Sequence, residues 1–148
     1  MSAPDPTLQA RLRTDLGIAR KERDKLRTTV LTTLLAEVRN REIEAGGALD
    51  EEGVQGAVVS AIKRRREAAE QMRAGSRDDL AEKEDREAAL LAHYLPPQLG
   101  EEEVRAMIRE AIEGGADNLG AVMKQVSPRV RGRFEGRELN RLVREALA

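Results

Sequence analysis

The stretch that decides the fold is HYLPPQLGEEEVRAMI, His93 to Ile108. Two consecutive prolines remove two amide donors and push Leu95 away from helical geometry, so a helix arriving from the N-terminal side must stop here. Just beyond, Glu101, Glu102 and Glu103 occupy a first helical turn, where the dipole favours anions, and Val104, Met107 and Ile108 open an apolar face at helical spacing. The pattern predicts an N-terminal helical domain, residues 1–95, and a C-terminal helical domain, residues 98–148, with Pro96-Pro97 as the junction setting their relative orientation.

Working outward toward the C-terminus, Ala111 and Ile112 continue the first face and Gly114-Gly115 closes it. Leu119, Val122, Met123 and Val126 mark a second short helix, which Pro128 should terminate, and Leu139, Leu142, Val143, Ala146 and Leu147 mark a third. None is stable alone, so the expectation is a small three-helix bundle.

Toward the N-terminus the expectation is a long-helix domain of about three helices. Asp5-Pro6 offers a cap and a first helical residue, and no strong breaker follows until Gly46-Gly47, Gly17 being tolerable. Leu8, Leu12, Leu16 and Ala19, then Leu26, Val30, Leu34 and Val38, recur at helical spacing, which predicts one helix of roughly 40 residues. A second helix from about Asp50 to Arg73 should bury Val54, Val58, Ala61, Ile62, Ala69 and Met72 and end at Gly75. Ser76 would cap a third, burying Leu80, Ala88, Leu91 and Leu95.

Composition agrees with an all-α chain. Of 148 residues, 40% are apolar and 36% charged, with one Tyr, one Phe and no Trp, so the core must be aliphatic. No cysteine is present, which excludes disulfides and thiolate metal sites and fits a reducing compartment. The N-terminus lacks the apolar centre of a signal peptide and no apolar run is long enough to cross a bilayer, so a cytoplasmic chain with no membrane partner is expected.

The formal charge is only −1, so any electrostatic function must be local. The concentration lies in RVRGRFEGRELNRLV, Arg129 to Val143: from Gly120 onward seven cations stand against three glutamates, while Gln98 to Leu119 carries the compensating acid. Lys124, Arg129, Arg131, Arg133, Arg137 and Arg141 are candidate phosphate-backbone contacts, with Gly132 and Gly136 shaping the loop and Asn140 beside them. Few aromatics argue against base stacking, leaving shape and backbone recognition. The alternative is an ordinary connection whose arginines pair with the acidic helix before it. Lys63-Arg64-Arg65-Arg66 points around a helix and reads as ion-paired surface.

Catalytic and cofactor signatures are missing. There is no phosphate loop, dinucleotide fingerprint or nucleophile elbow, and His93, the single histidine, has no metal-ligand or general-base context, so no catalytic residue, metal or cofactor is expected.

Taken together, IKRRREAAEQMRAGSRDDLAEKEDREAALLAHYLPPQLGEEEV (62–104) and NLGAVMKQVSPRVRGRFEGRELNRLVREAL (118–147) resemble the YqeY-like proteins of bacteria, and the resemblance begins near ARKERDKLRTTVLTTLLAEVRNREIEAG (19–46). Gly120 and Met123 match a GxVM pattern, and Pro128, Gly132, Arg133, Gly136 and Asn140 a PxVxGRxxGxxxN pattern. Glu135 stands where the family commonly has Asp, a stronger helix cap, and Arg137 replaces a common Lys. The family shares its C-terminal unit with the tail of the B subunit (GatB) of the glutamine-dependent aminoacyl-tRNA amidotransferase.

The resemblance implies a tail-like C-terminal helical domain and a tRNA-binding or aminoacyl-tRNA-amidotransferase-associated adaptor, with tRNA or an aminoacyl-tRNA enzyme complex as partner. It also implies, as an alternative, a component of a glutamine-dependent carbon–nitrogen ligase, active only within a complex. A third reading is a helical protein-interaction scaffold.

Overall fold

The computed structural model describes residues 6–148. Seven helices and no strands occur among them: α1 (Leu8–Lys21), α2 (Lys25–Ala45), α3 (Glu51–Ala74), α4 (Asp78–Ala92), α5 (Glu101–Glu113), α6 (Leu119–Val130) and α7 (Gly136–Leu147). Contacts divide the chain into two compact units, one ending at Leu95 and one beginning at Pro96.

The first unit holds four helices where about three were expected, because the single 40-residue helix is two. Gly17 lies inside α1 and breaks nothing. The stop is at Arg23, in the left-handed region with φ 57. The Asp24 amide donates to the Ala19 carbonyl at 2.9 Å and the Arg23 amide to Arg20 at 3.2 Å, a Schellman closure with arginine where glycine is usual. Asp24 then starts α2, its carboxylate accepting from the Arg27 amide at 3.0 Å. At the beginning of α1 the cap is Thr7, which accepts from Ala10, and the expected Asp5 cap lies outside the described residues.

Gly46, with φ 75, ends α2, and Asp50 caps α3. The α3 to α4 turn differs from expectation by one residue. Gly75 keeps an ordinary φ of −91, and Ser76 takes the left-handed place at φ 60 while the Arg77 amide donates to Met72 at 2.7 Å. Ser76 therefore closes α3 instead of capping α4.

The core of this unit gathers Leu8, Leu12 and Leu16 of α1, Val30, Leu31, Leu34 and Val38 of α2, Val54, Val58 and Ile62 of α3, and Ala88 and Leu91 of α4. Leu80 is only half-buried, Ala81 taking the buried place on that turn. Of the basic run, Arg64 pairs with Glu37 and Lys63 with Glu67, as an ion-paired face requires. Arg65 goes further, burying itself against Glu87 at 3.3 Å and donating to the Ala61 carbonyl at 3.0 Å.

The second unit packs α5, α6 and α7 around Val104, Ile108, Val122, Val126, Leu139, Leu142 and Val143. Pro128 does not end α6, which runs on to Val130. A proline in the last turn withholds only the one amide that would reach back to Lys124, and the turn continues past it.

Candidate functional site

The basic turn of the second unit is largely matched within itself. Gly132 adopts φ 74, the left-handed conformation its position needs, whereas Gly136 is an ordinary first residue of α7. Around them the backbone is tied to the segment before α5. The Leu99 amide donates to the Arg133 carbonyl at 2.8 Å, and Gln98 Nε2 to the Gly132 carbonyl at 3.0 Å. Arg133 spends its own guanidinium on the Pro97 carbonyl at 3.0 Å and the Arg129 carbonyl at 3.5 Å.

The remaining arginines find acids. Arg129 lies 3.4 Å from Glu110, and Arg141 lies 3.0 Å from Glu138, 3.2 Å from Glu145 and 4.0 Å from Glu101. Hydrogen bonding to Glu138, reinforced by its charge, holds Arg141 above the usual guanidinium range. Asn140 accepts from Arg144 at 2.6 Å, so its amide oxygen is occupied. Arg131, Lys124 and Arg137 are exposed, and the latter two make no ion pair among the described residues. Glu135 begins α7 without a capping bond, as its extra methylene leads one to expect. The turn is thus a structural clasp with few open cations.

A different constellation is more receptive. In the first unit, Arg11 and Asp15 from α1, Arg27 from α2 and Arg86, Ala89 and Leu90 from α4, with His93 and Tyr94 beyond it, line an open notch of about 470 Å3. Positions 11 and 15 share a face of α1 by helical spacing, and 86, 89, 90 and 93 do so along α4 and its extension. The Tyr94 ring is buried, at 9% exposure, and its Oη donates to Asp15 Oδ2 at 2.6 Å. The Arg11 guanidinium lies 5.5 Å from the ring centroid, within cation–π range.

Burial of the ring first, then the Asp15 hydrogen bond and charge, push the Tyr94 hydroxyl up to about 12, with Arg27 opposing. Three arginines therefore line a notch holding one carboxylate, which accepts from tyrosine and keeps its charge. Arg27 also bonds the Tyr94 hydroxyl, and cations outnumber acids three to one. Such an arrangement attracts an anion, and Ala89, Leu90 and the tyrosine ring supply an apolar wall for the body attached to it. The sequence reading set His93 and Tyr94 aside and missed the arginines. Their signal is spread from position 11 to position 94 and no local motif carries it. Among the described residues no cluster of three or more His, Asp or Glu is placed to hold a metal ion.

Comparison with known proteins adds a family and a set of relatives. A protein of Pyrenophora tritici-repentis is 28% identical over 137 residues, covering 89% of this chain and 76% of its own length. One from Lachancea thermotolerans is 32% identical over 122 residues, 80% of this chain and 61% of the relative. One from Candida glabrata is 33% identical over 86 residues, 57% of this chain and 47% of the relative. All three are named altered inheritance of mitochondria protein 41, mitochondrial.

These names correct two expectations. A tRNA-binding or amidotransferase-associated adaptor, with its ligase-component and scaffold alternatives, gives way, because the relatives are named for mitochondrial inheritance and neither tRNA nor an amidotransferase enters that name. The self-matched basic turn accords with the correction, since paired guanidinium groups offer little to a polyanion. A plain cytoplasmic placement likewise conflicts with relatives named as mitochondrial, and composition carried no contrary signal, since a cysteine-free chain suits several compartments. The family described as Yqey-like protein matches residues 9–147, nearly the whole chain, and the chain belongs to it.

Proposed function

We propose that this YqeY-family chain is a binding protein for a small organic anion, a carboxylate or phosphate carried on an apolar body, and that the notch between α1, α2 and α4 is where it is held. The observation that carries this is the convergence of Arg11, Arg27 and Arg86 on a notch whose one carboxylate is already engaged by Tyr94. The process it serves is, by its relatives' name, the inheritance of mitochondria or its counterpart in this chain's own cell.

Two measurements test the two parts. Calorimetric titration with a panel of carboxylates and phosphomonoesters at low salt should find a ligand whose affinity falls about tenfold or more in Arg86→Ala, an exposed position whose loss spares the core. Equal binding by wild type and variant, or no ligand in the panel, refutes the notch. Expression of the chain in fungal cells lacking the relative should restore mitochondrial inheritance, and Arg86→Ala should not.

We also infer that residues 1–95 and 98–148 are separate domains with Pro96-Pro97 as junction, the second being the tail-like module. Support comes from the two apolar cores, each drawn from one side of the prolines. Each piece expressed alone should then unfold cooperatively.

A further inference from the structure

We propose that the corner between α1 and α2 is a second site, built to take a phosphate group, distinct from the notch and independent of it. Arg20, Arg23, Lys25, Thr28 and Thr29 line an open cleft of about 440 Å3 there. Arg20, Arg23 and Lys25 are exposed and make no ion pair among the described residues, unlike Arg129 and Arg141 of the basic turn. The nearby carboxylate of Asp24 is turned to the start of α2, accepting from the Arg27 amide, and Glu22 is not among the residues lining the cleft.

Three cationic residues and two threonines line one open space. That exceeds what the two oxygens of a carboxylate use, and it suits the tetrahedral, doubly charged phosphate with its several acceptor oxygens.

Arg23 holds the left-handed conformation at φ 57, in a closure where glycine is the usual residue. Ser76 makes the same closure at φ 60, so the conformation belongs to the helix stop, and it marks Arg23 as a position where the side chain can be removed without cost to the fold.

This placement gives a variant that separates binding from folding. Arg23→Gly removes the guanidinium while easing the backbone, so the melting temperature should hold or rise while phosphate affinity falls about tenfold. The full chain is titrated with inorganic phosphate and followed by amide resonances of residues 20–25 and, separately, 86–94. In parallel it is spun with vesicles of phosphatidate or of phosphatidylcholine alone.

The proposal expects phosphate to shift the first set of resonances in wild type, more weakly in Arg23→Gly. Shifts absent with free phosphate, but phosphatidate binding lost in Arg23→Gly, place the same phosphate group on a lipid. Shifts reproduced by chloride at equal ionic strength, or phosphate and vesicle binding both unchanged by Arg23→Gly, overturn it. Loss confined to residues 86–94 would instead strike the notch.

Discussion

Tyr94 offers an optical test of the notch, because the chain holds one tyrosine and no tryptophan and tyrosinate absorbance then reports a single group. In the unfolded chain a tyrosine titrates near 10. In the folded unit, ring burial and the 2.6 Å bond to Asp15 raise it to about 12. The fold therefore prefers the neutral phenol. Its contribution to stability is fully present below about pH 10 and is lost as pH climbs through about 12. A rise from near 10 to about 12 corresponds to about 2.7 kcal/mol, and because Tyr94 lines an open notch, screening reduces this to about 1–1.5 kcal/mol.

The assay is a spectrophotometric pH titration in buffer and again in concentrated urea. The native midpoint should stand well above the urea midpoint. Asp15→Asn should lower the native midpoint without bringing it to the unfolded value, because burial, the larger cause, remains. In a companion urea-denaturation series, Tyr94→Phe should lose less stability than wild type across the same alkaline range. Coincident midpoints in buffer and urea, or an Asp15→Asn titration identical to wild type, would show the hydroxyl to be solvated and the notch wrongly built.

Other outcomes follow from the helix stops and the buried pair. Glu87→Ala leaves Arg65 nearly enclosed, its side chain 13% exposed, without its carboxylate, so the urea midpoint should fall by the equivalent of about 3 kcal/mol. Ser76→Gly should raise stability by about 1 kcal/mol, because glycine bears φ 60 without the crowding of a Cβ, and a falling thermal midpoint would contradict the Schellman reading of that turn.

Helix stops marked by glycine or by paired prolines were legible in the sequence; the one made by Arg23 was missed. Gly46 and Gly115 both take positive φ at the ends of α2 and α5, where the sequence pattern placed breaks. Arg23 and Ser76 perform the same closure with side chains that the pattern has no reason to assign there, and so α1 and α2 read as one helix. The clue that existed was Asp24, a good cap lying inside an otherwise helical run. Pro128 misled in the opposite direction, because a breaker in a last turn sacrifices only one bond. The all-α class and the aliphatic faces were readable because they rest on periodicity, a property of neighbours three and four apart. The notch was not, because Arg11, Arg27, Arg86 and Tyr94 become neighbours only when three helices pack.

The same reasoning explains why a count of arginines along the sequence is a poor guide to open positive charge. Five arginines between Arg129 and Val143 record cations along a line, whereas an external anion responds to the charge left after the fold has brought acids beside them. In the second unit Glu101, Glu110 and Glu145 arrive from α5 and α7 to meet Arg129 and Arg141, and Arg133 is spent on carbonyls. In the first unit the acids near the corner of α1 and α2 are few, and Asp24 is turned toward the start of its own helix. The shorter basic sequence RKERDK consequently leaves more open cations than the longer one. Salt should separate the two stretches: phosphate-induced shifts at residues 20–25 should weaken steeply as salt rises, while residues 129–141 should show little response at any ionic strength. Equal salt-sensitive shifts at both stretches would mean that the carboxylates around Arg129 and Arg141 do not neutralise them in solution, and the contrast on which the second site rests would fail.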